Sequence, residues 1–157
     1  MGTVARALLA LMERASAEPV EHDPEWPSPC EVLPPDSDGM VRWRPVPMDP
    51  PTDFAEIPLH TDIREFYGSY WDGHPGGRHS GESVSVRAAW NAEELADIRQ
   101  FVAAQVAAGE PVFVANSDSD CYFGVDNATG AVWLCEPGYP PLRQVAPSLA
   151  AFLTEVR

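Results

Sequence analysis

Lysine is absent from this 157-residue chain, and arginine supplies all ten of its permanent cations. Against them stand 24 aspartates and glutamates, a formal net charge of −14. So few cations cannot displace the counterions of a phosphate backbone, which excludes nucleic acid as a partner. The missing lysine also removes the usual phosphate-loop contact. Gly73 to Gly81 holds four glycines but neither a GxGxxG nor a Walker spacing, so nucleotide binding is excluded as well. Cysteine is scarce: Cys30, Cys121 and Cys135 are odd in number and show no CxxC spacing. That argues against a disulfide framework and for reduced thiols in a cytoplasmic setting. No apolar run approaches the ~20 residues that span a bilayer, so direct membrane insertion is not expected. Ala7 to Met12 is apolar but is broken by Glu13 and Arg14, which favours an amphipathic first helix over a signal peptide.

Groups that perform chemistry are equally thin. His74 and His79 lie five residues apart in a glycine-rich stretch without a third ligand at a recognised spacing, so they read as solvent-exposed loop histidines. Asp118 and Asp120 lack the glycine and the terminal glutamate of a calcium loop. Cys121 and Cys135 fall in predicted strands, where a thiol is inert by default, and Glu31 beside Cys30 would raise its pKa. No GxSxG is present, and Asn127-Ala128-Thr129 reads as a tight turn rather than a glycan acceptor. The expectation is no catalysis, no cofactor and no metal.

Proline and acid are what the chain has in excess. Eleven of the 17 prolines lie between Pro19 and Pro58, which rules out long helices there. From Glu18 to Asp62 eleven carboxylates face only Arg42 and Arg44, so nine of the fourteen net negative charges fall in this stretch. Trp26, Cys30, Trp43 and Phe54 within it predict a segment packed on the body rather than a loose tail. Charge held on a shaped surface attracts and orients basic partners. The candidate contact residues are therefore Glu21, Asp23, Glu25, Asp36, Asp38, Asp49, Asp53, Glu56 and Asp62. Tyr67, Tyr70 and Trp71, which need burial or a partner, are the candidate aromatic contacts.

Periodicity predicts a helix over Thr3–Ala15 with Val4, Leu8, Leu11 and Met12 on one face. A short strand is expected at Met40–Arg44 and an aromatic helix at Leu59–Trp71, followed by a loop to Gly81 and a strand at Glu82–Ala88. Asn91 should cap a helix in which Leu95, Ile98, Phe101, Val102, Gln105 and Val106 recur at helical spacing, with Gly109 at its end. Val112–Ala115 suits a central strand, Cys121–Val125 and Ala131–Leu134 a hairpin, and Pro147–Val156 a closing helix. The whole is one α+β domain over 1–157, with a mostly antiparallel sheet flanked by helices, residues 1–17 as the first helix and 18–58 as the acidic proline-rich segment.

Several segments together resemble the Syd family of SecY-interacting proteins, within the SUKH-type superfamily. They are Pro27-Ser28-Pro29-Cys30, Val41–Pro47, Phe66–Gly73, Trp90–Leu95, Val112–Ala115, Asp126–Val132 and Ala146–Leu153, in that order. The resemblance implies an α+β fold, no catalysis, and an acidic surface docking on basic cytosolic loops of SecY, the membrane channel for protein export. Contact with the inner face of the membrane would then run through that channel. The superfamily also includes immunity proteins that neutralise basic, nuclease-like toxins, and an acidic domain suits that role by occluding a cationic site. An enzyme acting on a small molecule is a third reading without residues to carry it.

Overall fold

The computed structural model describes residues 1–157. Helices α1 (Thr3–Ala15), α2 (Thr61–Ser69) and α4 (Leu149–Glu155) pack on one another, while α3 (Ala92–Ala108) stands apart. The proline-rich stretch supplies β1 (Val20–Glu21), β2 (Glu31–Val32) and β3 (Met40–Trp43), a small antiparallel sheet in the order β1-β3-β2. Next, β4 (Val46–Pro47) pairs with β5 (Tyr70–Trp71). The main sheet comprises β6 (Gly76–His79), β7 (Glu82–Val86), β8 (Val112–Asn116), β9 (Tyr122–Val125), β10 (Val132–Cys135) and β11 (Arg143–Ala146). Its six strands lie in chain order, each antiparallel to the next, so the fold is α+β.

Local sequence explains most of these elements. Val4, Leu8, Leu11 and Met12 bury one face of α1, as the spacing requires. Asn91 caps α3 by accepting the Glu94 N–H at 2.9 Å. Gly109 ends the helix at φ +72°, a left-handed conformation that costs other residues more. The β9–β10 turn is held by Asp126, whose Oδ1 accepts the N–H groups of Ala128 and Thr129. Asn127 ties this turn to the body, accepting the His60 N–H and donating to the Pro58 carbonyl, both at 2.7 Å.

Three expectations change. The aromatic helix stops at Ser69, because Tyr70 takes an extended conformation and pairs with Pro47. The glycine-rich stretch after Gly73 is a hairpin strand, β6, rather than a loop to Gly81. The sheet also gains β11 on its far edge, beyond the expected hairpin.

One core of 31 buried residues runs through all these parts. Its members include Cys30, Trp43, Phe54 and Ile57 from the proline-rich stretch and Leu59 just beyond it. Fully burying an apolar side chain contributes roughly 1.5–3 kcal/mol, which anchors a stretch with little regular structure. Polar contacts fix it further. Arg64 donates to the carbonyls of Phe54, Ile57 and Leu59, and the Trp90 indole and Asn91 amide donate to Trp26 and Pro27.

Candidate partner-docking surface

The nine candidate carboxylates divide into two groups. Glu21, Asp23, Glu25, Asp36 and Asp38 are exposed around the small sheet, and none pairs with a cation. Local hydrogen bonds hold two of these carboxylates, Asp23 and Asp36, in place. Asp23 Oδ1 accepts the Glu25 N–H at 2.9 Å, and Asp36 Oδ1 accepts the Asp38 and Met40 N–H groups. Asp49 is exposed beyond this sheet. In the second group, Glu56 and Asp53 are partly neutralised by arginines, while Asp62 lies beside an imidazole nitrogen that accepts its backbone N–H. Glu56 pairs with Arg99, which lowers its pKa, Asp53 lies 4.0 Å from Arg64, and Asp62 lies 4.0 Å from His60. Arg99 also stacks on the Phe54 ring at 4.5 Å, so this group helps fasten α3 to the 53–56 loop. Glu31 is structural too: its side chain is buried, bonded to the His22 ring and the Ser28 N–H.

Two of the three aromatic candidates are core residues. Helix α2 turns Tyr67 inward, where it is 1% exposed and its hydroxyl donates to the Phe113 carbonyl. Tyr70 is buried at 5%, and burial raises the pKa of both phenols. Tyr67 also lines a cavity beside Arg87 and Glu94, and Trp71 is half-buried.

The surface the structure adds is a groove between α3 and the outer part of the main sheet. One end is a cavity of about 740 Å³ bounded by Phe101, Phe113, Tyr122 and Tyr139, with Glu110, Asp120 and Glu136 among its lining residues. No arginine or histidine lines it. Phe101, Phe113 and Asn116 continue into a second cavity of about 580 Å³, reaching Trp26 and lined by Glu94 and Asp97. Phe101 is 53% exposed and Tyr139 67% exposed, so aromatic surface and carboxylates share one trough. At its Trp26 end the groove meets the Asp23–Glu25 turn, through the Trp26 N–H bond to the Asp23 carbonyl. The one arginine in the groove, Arg87, lies 3.6 Å from Glu94.

The wall of the groove at that end is a cluster of ionisable side chains. His74, at φ +57°, places Nε2 2.7 Å from Glu94 Oε1 and donates its backbone N–H to Asp72 Oδ1 at 2.8 Å. Asp72 is fully buried and its Oδ2 has no hydrogen-bond partner. Burial is the main reason its pKa rises to about 7. Of the two histidines expected in solvent, His74 is partly exposed and held by Glu94, and His79 is buried. His79 is 4% exposed, bonded to Glu155 at 2.6 Å and set against the Phe152 ring.

A sequence comparison decides what kind of protein carries this surface. The family described as "Syd protein (SUKH-2)" matches residues 4–157. The chain belongs to the Syd family. It is 33% identical over 159 residues to Protein Syd of Pseudoalteromonas atlantica, covering 92% of this chain and 86% of that one. Protein Syd of Hahella chejuensis is 32% identical over 142 residues, covering 82% and 73% of the two chains. Protein Syd of Shewanella denitrificans is 31% identical over 144 residues, covering 82% and 66%.

In this Syd-family chain the groove, not the acid-rich stretch alone, brings aromatic surface and unpaired carboxylates together. Its signal in the sequence was faint. Phe101 belongs to the apolar series of α3 yet is exposed, and Tyr139 sits in Pro137-Gly138-Tyr139-Pro140-Pro141, where an exposed ring among prolines was the available clue.

Proposed function

We propose that this Syd-family chain is a non-catalytic docking protein whose groove and adjoining acidic rim receive basic cytosolic loops of the SecY channel. One observation carries the reading: five carboxylates line a trough with exposed aromatic rings, and its one arginine is held by Glu94. Carboxylates at low local dielectric recognise guanidinium and ammonium groups, while aromatic faces take their stems and add cation–π attraction. The rim of Glu21, Asp23, Glu25, Asp36 and Asp38 supplies the longer-range field that steers such a partner. No helix is long and apolar enough to cross a membrane, and in this reading the chain reaches the membrane through its partner. The thiols fit a binding role: burial raises Cys30 to about 12 and Cys135 to about 11, far from a reactive thiolate.

The test is capture of purified SecY complex in detergent by the wild type and by Glu110→Arg/Asp120→Arg/Glu136→Arg. The triple variant should lose at least tenfold in affinity, the equivalent of about 1.4 kcal/mol, with melting unchanged. Equal capture by both proteins removes the groove from the reading. Binding to a cationic toxin domain, with none to SecY, would assign the same surface to an immunity role.

A further inference from the structure

The Glu94 end of the groove holds more ionisable groups than docking a basic loop requires, and they come from separate parts of the chain. Asp72 follows β5, Arg87 follows β7, Glu94 opens α3, and His74 forms the wall between the groove and a second cavity on the α1 side. The groups facing Asp72 are Cys30 beside β2, Tyr67 of α2, and His74, Arg87 and Glu94. Asp72 itself is sealed from solvent, with one oxygen bound to the His74 N–H and the other unpartnered. A carboxylate in that position is penalised by its missing hydrogen bond and by the nearby charge of Glu94. Only Arg87 and His74 offset this, and Glu94 already shares both.

We propose that docking at this end of the groove is proton-linked: a cationic side chain entering beside Glu94 ionises Asp72, which releases its proton to solvent. The inference rests on the docking reading given above. The balance is simple, since the partner brings one positive charge, Asp72 loses one proton, and no covalent bond between heavy atoms changes. A positive charge beside Glu94 competes for the carboxylate that Arg87 and His74 now share. Those two groups are then freer to stabilise an Asp72 carboxylate, and the incoming charge adds to their field. Asp72 changes state near neutrality, so linkage would fall in the range where cells operate. Affinity must then rise with pH, because the ionised form binds the cation better. A one-unit lowering of the Asp72 pKa on docking gives roughly a fivefold gain in affinity between pH 6 and pH 8.

The test is isothermal titration of the full chain with an N-acetylated, C-amidated synthetic decapeptide of alternating arginine and leucine, whose charges do not change in that range once the α-amino group is blocked. At pH 7 the observed heat is measured in buffers of different ionisation enthalpy. The inference expects net proton release on binding, roughly fivefold tighter binding at pH 8 than at pH 6, and loss of both effects in Asp72→Asn, which keeps His74. Binding whose heat does not depend on buffer overturns the inference and leaves the docking reading standing. Release that persists undiminished in Asp72→Asn also overturns it, by assigning the proton to His74. Absence of any binding by the peptide overturns the docking reading, and the inference with it. Should Asp72→Asn fail to fold, carboxyl ¹³C shifts of the wild type decide the matter: Asp72 must titrate near neutrality alone and at lower pH with peptide bound.

Discussion

Glu94 and His74, twenty positions apart, meet side chain to side chain at 2.7 Å, and the same Glu94 oxygen lies 3.6 Å from Arg87. One carboxylate at the start of α3 thus gathers both the His74 ring and the Arg87 guanidinium at this end of the groove. Its own position is set by the Asn91 cap and favoured by the positive end of the helix dipole. Asp72, behind them, has neither of these side chains as a direct partner and keeps one oxygen unsatisfied.

That arrangement makes stability depend on pH through Asp72. Its pKa is raised by burial from 3.8 to about 7 in the fold, so the folded protein holds this proton more tightly than the unfolded chain. The stabilising contribution is complete below about pH 4 and is lost as pH rises through 7. Asp72→Asn removes this dependence while keeping an oxygen for the His74 N–H. Melting followed from pH 5 to pH 8 should show the variant gaining on the wild type as pH rises, by on the order of 1 kcal/mol or more at pH 8. A constant difference across that range would contradict the assignment.

Tyr67 separates stability from binding. Removing its hydroxyl strands the Phe113 carbonyl among buried groups, at a cost of about 1–3 kcal/mol. Tyr67→Phe should therefore melt earlier and still bind SecY with wild-type affinity when compared well below both transitions. Lost binding at unchanged stability would return Tyr67 to the contact surface.

Asn127 does the work of a clamp between the β9–β10 turn and residues 58–60. Asn127→Ala breaks both bonds and should cost about 1–2 kcal/mol in denaturant unfolding. Hydrogen exchange should rise first at His60, whose N–H loses its acceptor. Unaltered protection there would show the clamp to be incidental.

The three thiols should react in a fixed order. Cys30 and Cys135 are buried and pushed well above their ordinary range, whereas Cys121 is half-exposed. A thiol reagent at pH 8 should label Cys121 first, leaving Cys30 unmodified until the protein unfolds. Early labelling of Cys30 would mean that the proline-rich stretch opens readily from the core.

Elements with a long repeat were legible in the sequence. The apolar spacing of α1, the Asn91 and Gly109 boundaries of α3, and the Asp126–Gly130 turn all state their geometry within a few residues. The two-residue strands β1, β2, β4 and β5 have no period to read, and their partners lie far along the chain. Strand β6 was hidden by Gly76 and Gly77, residues that weaken strand propensity, although pairing with β7 holds it. The acidic rim was visible as a charge run, but its division was not, because Arg64 and Arg99 neutralise Asp53 and Glu56 across folded distances. The groove was least legible of all. It is assembled from α3, three strands of the sheet and the 136–141 turn, and no short window of sequence contains it.

Chemical-shift mapping would locate the partner on the surface of the molecule. Isotope-labelled protein titrated with a peptide from a basic cytosolic loop of SecY should show its largest amide shifts around Phe101, Phe113, Asn116, Asp120 and Glu136, fading as salt screens the carboxylates. Shifts confined to the α1–α4 side, with the groove unmoved and no dependence on salt, would contradict the account.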